Sequence, residues 1–463
     1  ARYGCSNREV YHKVMTRLRT LSKMGYTVHV RWSHQEAEEA VVSTSMPQYD
    51  CMVAQRQRND GGFYGGRVEV FKPLWKCKEG EKIQYIVVVS LYPWVCATQR
   101  MCTGFPKIYM GNTVEMARLE RGHPRAYFGY AHVKVRGCAD DYFGGVPRKD
   151  RESGRLVFDN TEYRVTCFID ELRERMDHGA EVLEVYEVWH WDEVSSTQGP
   201  MAGYVAYFLR DKMECSGWKA LCGREPESDA EKEAICDQLE ADNLGLCRRR
   251  PEKVADYPGG RQLAKLRLNM LWGKFVQTPK ATTMKFITGY EDYVKLWFDN
   301  QVDKSTLMFR RIRDGLDFME VRYGYNASLR APVNTHYYLG GSCTAQARLK
   351  LTSMLRKVGA ERALYCDTDS VVYVHRPGDE EIETGEALGH WSSELDDGVW
   401  GEEFMALAPK CYMLKYNEAG RVKERESGIL KAKGVTLTAE HIKEIHADSM
   451  RKIIMTEVFG DIS

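Results

Sequence analysis

The sequence predicts an α+β fold built around an antiparallel sheet. The run Tyr85-Ile-Val-Val-Val89 is rich in β-branched residues and does not alternate with polar ones, which is typical of a buried strand. Residues 363–374 place Asp-Thr-Asp between two apolar runs, a pattern that predicts a tight β-hairpin. The helical part of the fold is predicted from apolar spacing near 201–215, 229–247, 258–275 and 343–357.

The remaining elements follow in chain order. Residues 8–24 carry apolar side chains on one helical face, and Gly25 ends that helix before an alternating strand at 26–32. Residues 59–66 form a glycine-rich loop. Pro93 ends the buried strand, and residues 98–200 contain short strand-like pieces separated by Gly and Pro.

Composition limits the class of protein. The chain has 463 residues, 43% hydrophobic and 29% charged, which is enough for two to four structural units of a soluble type. The longest nearly apolar run, 85–97, is too short for a membrane span of about 20 residues, so no membrane partner is expected. No signal peptide is visible, and the start at Ala1 without Met indicates a fragment or a processed product.

Cysteine usage and charge narrow the class further. The 14 cysteines show no C-x-x-C pair, so we expect reduced thiols in an intracellular protein without structural zinc. The net charge is zero, which argues against a protein that simply coats nucleic acid. Two basic clusters lie at 248–253 and 410–433. Each is either solvated surface or a set of phosphate contacts, and their position beside the candidate catalytic motifs favours phosphate contacts.

The strongest chemical signal is Tyr365-Cys366-Asp367-Thr368-Asp369-Ser370. Two carboxylates this close at a hairpin tip repel each other unless a cation lies beside them. Magnesium, which prefers oxygen ligands, is the natural cation. The alternative is an ordinary acidic turn, because Asp favours turns in any case.

Two weaker signals accompany it. One is a predicted helix with a polar or small residue at every fourth position: Arg261, Lys265, Asn269 and Gly273. At this spacing the four positions lie close to one helix face, which is suited to binding phosphates. The alternative is a surface helix. The segment Ser90-Leu-Tyr92-Pro follows the buried strand, where a tyrosine could lie beside a nucleotide sugar or simply close the strand.

In this order, the motifs resemble those of family B DNA polymerases of the protein-primed branch, most closely those of Polinton (Maverick) transposons and related viruses. The family motif D-x-x-S-L-Y-P is matched by Val87-Val-Val-Ser90-Leu-Tyr92-Pro, and K-x-x-x-N-S-x-Y/W-G by Lys265 to Gly273. The motif Y-x-D-T-D-S is matched fully at 365–370. Looser matches are Phe63-Tyr64-Gly65-Gly66 to a Y-x-G-G loop, Lys410-Cys-Tyr412 to K-x-Y, and Lys431-Ala-Lys433-Gly to K-x-K-G.

The resemblance implies a right-hand architecture: a palm with an antiparallel sheet, helical fingers and a partial thumb, with insertions in the palm. The implied domains are an N-terminal linker or remnant at 1–58, palm at 59–97, a first insertion like a terminal-protein region at 98–200, fingers at 201–275, a second insertion at 276–340, palm at 341–400 and partial thumb at 401–463.

The resemblance also implies roles. Asp369 and Asp367 would be catalytic and would hold two Mg²⁺ ions, with Mn²⁺ as an alternative metal. The incoming dNTP would contact Arg261, Lys265, Asn269, Gly273 and Tyr92. The primer–template DNA would contact Lys410, Tyr412, Lys431, Lys433, Tyr64, Gly65 and Gly66. A terminal protein primer is a further implied partner, and the nucleus is the expected compartment for an element of a eukaryotic host.

The chain departs from the family at its first motif. Val87 stands where the family has the aspartate that bridges both metals, and valine offers no oxygen to magnesium. We therefore expect very weak or absent DNA-directed DNA polymerase activity on an intact fold. The alternative is a catalytically inactive, polymerase-derived nucleic-acid-binding protein. No F-D-x-E exonuclease motif precedes the palm, so proofreading is not expected of this chain.

Overall fold

The computed structural model describes residues 62–104, 106–150, 153–192, 199–246, 248–276, 283–287, 290–299, 302–311, 319–325, 336–417, 428–433 and 447–457. All of them belong to one compact unit, Ser45–Ser463. The helix predicted at 8–24, the strand predicted at 26–32 and the linker predicted at 1–58 lie outside the described residues.

The strands of the described part, in chain order, are β1 (Val68–Val70), β2 (Leu74–Lys76), β3 (Lys82–Val88), β4 (Lys107–Met110), β5 (Gly129–Arg136), β6 (Arg148–Lys149), β7 (Leu156–Val157), β8 (Glu162–Phe168), β9 (Glu181–His190), β10 (Thr283–Ile287), β11 (Val302–Arg311), β12 (Met319–Tyr325), β13 (Ala363–Asp367), β14 (Ser370–His375), β15 (Trp391–Ser393), β16 (Gly401–Ala408), β17 (Cys411–Tyr416) and β18 (Gly428–Ala432). The helices are α1 (Leu91–Thr98), α2 (Ile169–Met176), α3 (Ala202–Glu214), α4 (Trp218–Cys222), α5 (Asp229–Asp242), α6 (Pro258–Phe275), α7 (Tyr290–Phe298), α8 (Tyr337–Val358) and α9 (Ala447–Glu457).

A nine-stranded sheet forms the centre of the fold. Its strand order is β1-β13-β14-β3-β16-β17-β18, with β15 paired to β3 and β2 paired to β16, and these pairs are antiparallel. Apolar side chains of β3, β13, β14, β16 and β17 form one core cluster with Phe404 and Leu414 at its centre. The predicted buried strand and the predicted hairpin therefore become neighbours in one sheet.

In the described part of the chain, three further sheets lie between the parts of the central sheet in sequence, and the smallest is the two-stranded β6-β7. The segment predicted to hold short strands contains a four-stranded antiparallel sheet, β4-β9-β5-β8, which buries Val133, Val165 and Val188 against α2. A three-stranded sheet, β10-β12-β11, packs against α7 through Val321 and Leu296. The predicted α+β class with antiparallel sheets is confirmed.

Two local predictions need correction. Pro93 does not end the buried strand: β3 ends at Val88, Ser90 adopts a left-handed conformation with φ of 52°, and Pro93 lies in the first turn of α1. Proline is tolerated there because the first helical N–H groups have no intrahelical partner. The helix predicted from residue 343 begins earlier, at Tyr337, and runs to Val358.

Candidate active site

The register of the central sheet brings the two predicted motifs together. Asp367 of β13 pairs with Ser370 of β14, and Ser370 pairs with Val87 of β3. Residues that pair directly across an antiparallel sheet point to the same face, so these three side chains form one row. Two strand spacings separate Asp367 from Val87, about 10 Å between backbones. The next residue of β3, Val88, donates its N–H to the Asp369 carbonyl at 2.8 Å.

The hairpin tip between β13 and β14 is tightly folded. Thr368 has a positive φ of 59°, and the Asp369 N–H donates to the Asp367 carbonyl at 2.6 Å. The tip is also tied to the glycine-rich loop, because the Thr368 N–H donates to the Arg67 carbonyl at 2.7 Å. This geometry fixes the two carboxylates as neighbours whose charges must be compensated.

The two carboxylates are compensated unequally. The Lys410 ammonium lies 2.8 and 3.0 Å from the two Asp367 oxygens. Burial raises the pKa of Asp369 to about 6, and the nearby carboxylates of Asp367 and Glu394 add to the rise. Asp369 is therefore a desolvated acid that a cation would stabilise.

Glu394 is a third carboxylate that sequence analysis missed. Its backbone N–H donates to the Tyr85 carbonyl at 2.9 Å, one residue beyond the pairing of β15 with β3. Its charge is close enough to raise the pKa of Asp369. No sequence spacing links residue 394 to residues 85 and 369, so only the sheet register reveals this neighbourhood.

An open cleft of about 590 Å³ lies over the hairpin tip. Its lining includes both aspartates and four of the seven predicted DNA contacts, but not Tyr64, Gly65 or Gly66. It consists of Tyr85, Asp367, Thr368, Asp369, Ser370, Lys410, Tyr412, Lys431, Ala432 and Lys433. The Tyr412 and Tyr85 hydroxyls lie 3.0 Å apart at its wall. Three lysines and two aspartates give the cleft both charges needed for a metal-bound phosphate chain.

Tyr92 lies in an aromatic stack. Its ring is 4.9 Å from the Trp272 ring at 10°, and Phe63 stacks on the same indole at 6.5 Å. The Trp272 indole N–H donates to the Gly340 carbonyl at 3.0 Å, which anchors the stack to α8. Burial raises the pKa of the Tyr92 phenol, so the ring stays neutral. The predicted sugar-contact residue, on α1, is thus held against Trp272 of α6.

The predicted cationic helix is α6, and it pairs antiparallel with α3. Arg261 donates to the Ser216 hydroxyl at 3.1 Å, and Tyr204 at the other end of α3 donates to the Arg267 carbonyl at 3.1 Å. Lys212, in the last turn of α3, was missed by sequence analysis. Burial lowers its pKa, and repulsion from Arg261 and Lys265 lowers it further.

Two other predicted residues of α6 face solvent or empty space. Asn269 is exposed, and a side chain added at Gly273 would meet nothing within 4 Å. Lys212, Arg261 and Lys265 therefore form a three-cation group on two helices, beside a helix face with open space. A group of this kind is suited to a polyphosphate.

The glycine-rich loop is held by Arg348, a third residue that sequence analysis missed. Its guanidinium donates to the Tyr64 carbonyl at 2.9 Å and the Gly65 carbonyl at 2.6 Å, and it pairs with both Glu171 oxygens at 2.7 Å. The Tyr64 side chain is only 3% exposed and belongs to the core. A Cβ at Gly66 would lie 2.7 Å from the Thr368 side chain.

One basic cluster is used differently from the prediction. Arg248 pairs with Glu233 at 2.8 Å and Asp237 at 2.9 Å, and Arg250 pairs with Glu214 at 2.7 Å. These arginines hold α3 and α5 to the segment before α6. The expectation of phosphate contacts at 248–250 is therefore replaced by an internal ion-pair role.

Comparisons with known proteins point to one fold. Residues 58–212 match the model of the family described as DNA polymerase type B, organellar and viral. The phi29 DNA polymerase complex with primer-template DNA and incoming nucleotide substrates is similar with a TM-score of 0.52 at 16% identity, over 86% of this chain and 57% of that one. The chain shares its fold with phi29 DNA polymerase.

Other solved structures agree. The orthorhombic crystal form of phi29 DNA polymerase gives a TM-score of 0.55 at 16% identity, covering 89% of this chain and 60% of that one. Its complex with single-stranded DNA gives 0.52 at 15% identity, covering 94% and 64%. This chain thus spans about three fifths of the length of these polymerases. No curated protein sequence matches. In the part of the chain that the structure describes, no helix is both long and apolar enough to cross a bilayer.

Proposed function

We propose that this chain is the core of a DNA-directed DNA polymerase that adds nucleotides from dNTPs to a primer 3′-hydroxyl on a DNA template. The observation that carries the proposal is the row Asp367–Ser370–Val87 in the central sheet, beneath a cleft lined by Lys410, Lys431 and Lys433. The shared fold and the partial family match support it. The relation to Polinton elements stays a prediction from the motifs.

In this proposal the central sheet is the palm and the α3–α6 pair belongs to the fingers. The four-stranded sheet and the β10–β12 sheet are the two palm insertions, and α9 belongs to a partial thumb. The strands β16 to β18, which the sequence assigned to the thumb at 401–463, pair within the central sheet and belong to the palm. These assignments follow from chain order and from the position of the motifs on the sheet. The cleft over the hairpin tip would then receive the primer terminus.

The metal expected from the family fits only in part. Asp369 is a desolvated carboxylate with its pKa raised to about 6, and Asp367 and Glu394 lie beside it, so one hard cation suits these donors. Val87 supplies no oxygen, so the residues present do not complete a second, bridging site. Within the described residues, no group of three acidic, His or Cys side chains is arranged to hold a metal. When bound, Mg²⁺ would stabilise charge on the reacting phosphate.

The side chains of this chain have separate tasks in the reaction. Lys212, Arg261 and Lys265 would bind the triphosphate and stabilise the leaving pyrophosphate. Tyr92, fixed by its stack on Trp272, would lie against the sugar. The primer 3′-oxygen would form a bond to the α-phosphorus while the bond to the β-phosphate oxygen breaks, which positioning and electrostatics accelerate.

Val87 weakens this reaction without weakening the fold. Losing one preorganised electrostatic group commonly costs on the order of 10²–10³ in rate, and a ligand shared by two metals is worth more. A loss of at least about 4 kcal/mol of barrier stabilisation is therefore expected. Valine is well suited to the position near the end of β3 between β14 and β15, where an unpaired aspartate would be costly.

Primer extension with Val87→Asp beside the natural chain tests the proposal. The variant should extend a primer on a DNA template in Mg²⁺ at least about 10²-fold faster than the natural chain. Val87→Asn is the matched control, because it has similar bulk and polarity but no charge, and it should stay near the natural rate. Templated addition must also disappear in Val87→Asp/Asp369→Asn.

A second candidate function is nucleic-acid binding without catalysis. The observation in its favour is the Lys410–Asp367 ion pair, which satisfies one carboxylate without any metal. Both functions predict binding of primer–template DNA that weakens with salt. If Val87→Asp binds primer–template and remains inactive in Mg²⁺ and Mn²⁺, the binding function replaces the polymerase proposal.

A further inference from the structure

Two cysteine thiols from distant parts of the sequence meet in the core. The Cys96 sulfur, on α1, lies 3.7 Å from the Cys343 sulfur, on α8. Both residues are 0% exposed, and 247 positions separate them in the chain. The contact is a thiol–thiol pair in the reduced state. Nothing in the proposed polymerase reaction uses either sulfur.

The helices around the pair are held in place, so the sulfurs stay neighbours. The Cys96 carbonyl accepts from the Met201 N–H at 3.2 Å, and the Ala97 carbonyl accepts from the Gly199 N–H at 2.8 Å. A Cβ at Gly199 would collide with the Cys96 carbonyl, so this chain segment sits directly on α1. The backbone around Cys96 is therefore fixed in the closed fold.

A disulfide requires only a small displacement. The sulfurs must approach by about 1.7 Å to reach a bond length near 2.05 Å, a change within reach of side-chain rotation and a slight helix shift. No sequence spacing predicts this pair, because residues 96 and 343 become neighbours only when α1 packs on α8. The pair is thus a property of the fold.

We propose that Cys96 and Cys343 are an oxidation site that hydrogen peroxide converts into an intramolecular disulfide. One sulfur, as thiolate, attacks the peroxide oxygen and becomes a sulfenic acid, and the first water leaves. The partner sulfur then attacks the sulfenic sulfur, and the second water leaves. Two thiols lose two electrons and two protons, and one hydrogen peroxide becomes two waters.

Burial makes the first step slow and the second step selective. Burial raises the pKa of the Cys343 thiol well above its usual value, so thiolate is scarce in the closed fold. The first oxidation therefore depends on local opening. Once one sulfenic acid exists, its partner is 3.7 Å away, whereas the exposed thiol of Cys222 has no such neighbour among the described cysteines. Oxidation then ends at the disulfide.

The cross-link would act on the candidate active site. Cys96 follows Tyr92 by one helical turn on α1, and Tyr92 stacks on Trp272, which is itself bonded to Gly340 near the start of α8. A bond between α1 and α8 would tie the helix that carries Tyr92 to the helix that accepts the Trp272 hydrogen bond. The inference itself does not depend on the proposed function, since it concerns only the two sulfurs.

Peptide mapping of the natural full chain tests the proposal. The protein is treated with graded hydrogen peroxide, denatured, alkylated at its remaining free thiols and digested for mass spectrometry. The expected product is a peptide pair joining Cys96 to Cys343, lighter by two hydrogens and separated again by dithiothreitol. The oxidised chain should also unfold at a higher temperature than the reduced chain, because the bond closes a long loop.

Two variants sharpen the result. Cys343→Ala should abolish both the cross-linked peptide and the rise in melting temperature, whereas Cys236→Ala, at another buried cysteine, should keep both. The proposal is overturned if Cys96 and Cys343 are recovered alkylated under peroxide that has fully oxidised Cys222. It is equally overturned if Cys96 is recovered joined to a different cysteine.

Discussion

Replacing Arg348 by Met should destabilise the fold strongly. Among the hydrogen-bond partners that the structure describes for the buried Glu171 carboxylate, the Arg348 guanidinium is the only cation. Arg348 is 3% exposed and holds both Glu171 oxygens at 2.7 Å. It also donates to the carbonyls of Tyr64 and Gly65. Methionine preserves much of the bulk and removes every donor.

The expected loss follows from these contacts. Breaking a buried ion pair by removing one partner costs about 3–5 kcal/mol, because the other charge stays buried. Burial already raises the pKa of Glu171, and Arg348 is the main influence that lowers it. Without Arg348 the carboxyl takes up a proton more readily. The deficit should therefore be greatest at alkaline pH and should shrink as the pH falls toward the ordinary range of glutamate.

Urea unfolding of a double-mutant cycle measures the effect. Arg348→Met and Glu171→Leu should each be destabilising, and the double variant should recover much of the loss, since no buried charge remains. Lys357→Met is the matched control: its pair with Glu380 is 44% and 79% exposed and should be worth at most about 1 kcal/mol. If Arg348→Met costs no more than this control, the buried pair does not support the loop as argued.

Three further outcomes are expected. Gly66→Ala should weaken primer–template binding in an anisotropy titration, because the added Cβ meets the hairpin tip. Gly65→Ala is the control: its Cβ would meet nothing within 4 Å, so primer–template affinity should be unchanged. Lys212→Ala should weaken dNTP binding about tenfold or more by calorimetry, and Lys219→Ala, at an exposed lysine, should not. If the two variants bind dNTP with equal affinity, Lys212 does not belong to the phosphate site. Mg²⁺ affinity should fall about tenfold per unit below pH 6, because protons compete for Asp369, and a flat profile would contradict this.

Local patterns predicted most of the elements and little of their arrangement. The hairpin at 363–374 and the helices near 202–214 and 258–275 follow from apolar spacing and turn residues. The start of α8 could not be predicted this way, because Gly340 and Gly341 weaken a helix locally. In the fold they are required: a Cβ at Gly340 would collide with Val276, and one at Gly341 would lie 2.5 Å from the Tyr130 hydroxyl.

The site was predictable where its residues share a motif and hidden where they meet only across the fold. Asp367 and Asp369 are adjacent in sequence, and their hairpin position follows from it. Lys212, Arg348 and Glu394 belong to other elements, and the pairing register or helix packing alone brings them to the site. Partner choice in a sheet depends on complementarity of whole surfaces, which one sequence does not encode in any spacing.

The row across the central sheet explains how a valine can remove chemistry and leave structure. Val87 lies between Ser370 and Ser392, two small neutral partners, and beside a tip that already carries two carboxylates. Lys410 neutralises Asp367, so only Asp369 bears the cost of an uncompensated charge. An aspartate at position 87 would add a fourth carboxylate beside Asp367, Asp369 and Glu394, and its repulsion would have to be offset by bound cations. Valine has no carboxylate. For that reason it makes the metal-free pocket easier to fold, and for the same reason it leaves the reaction without its bridging ligand.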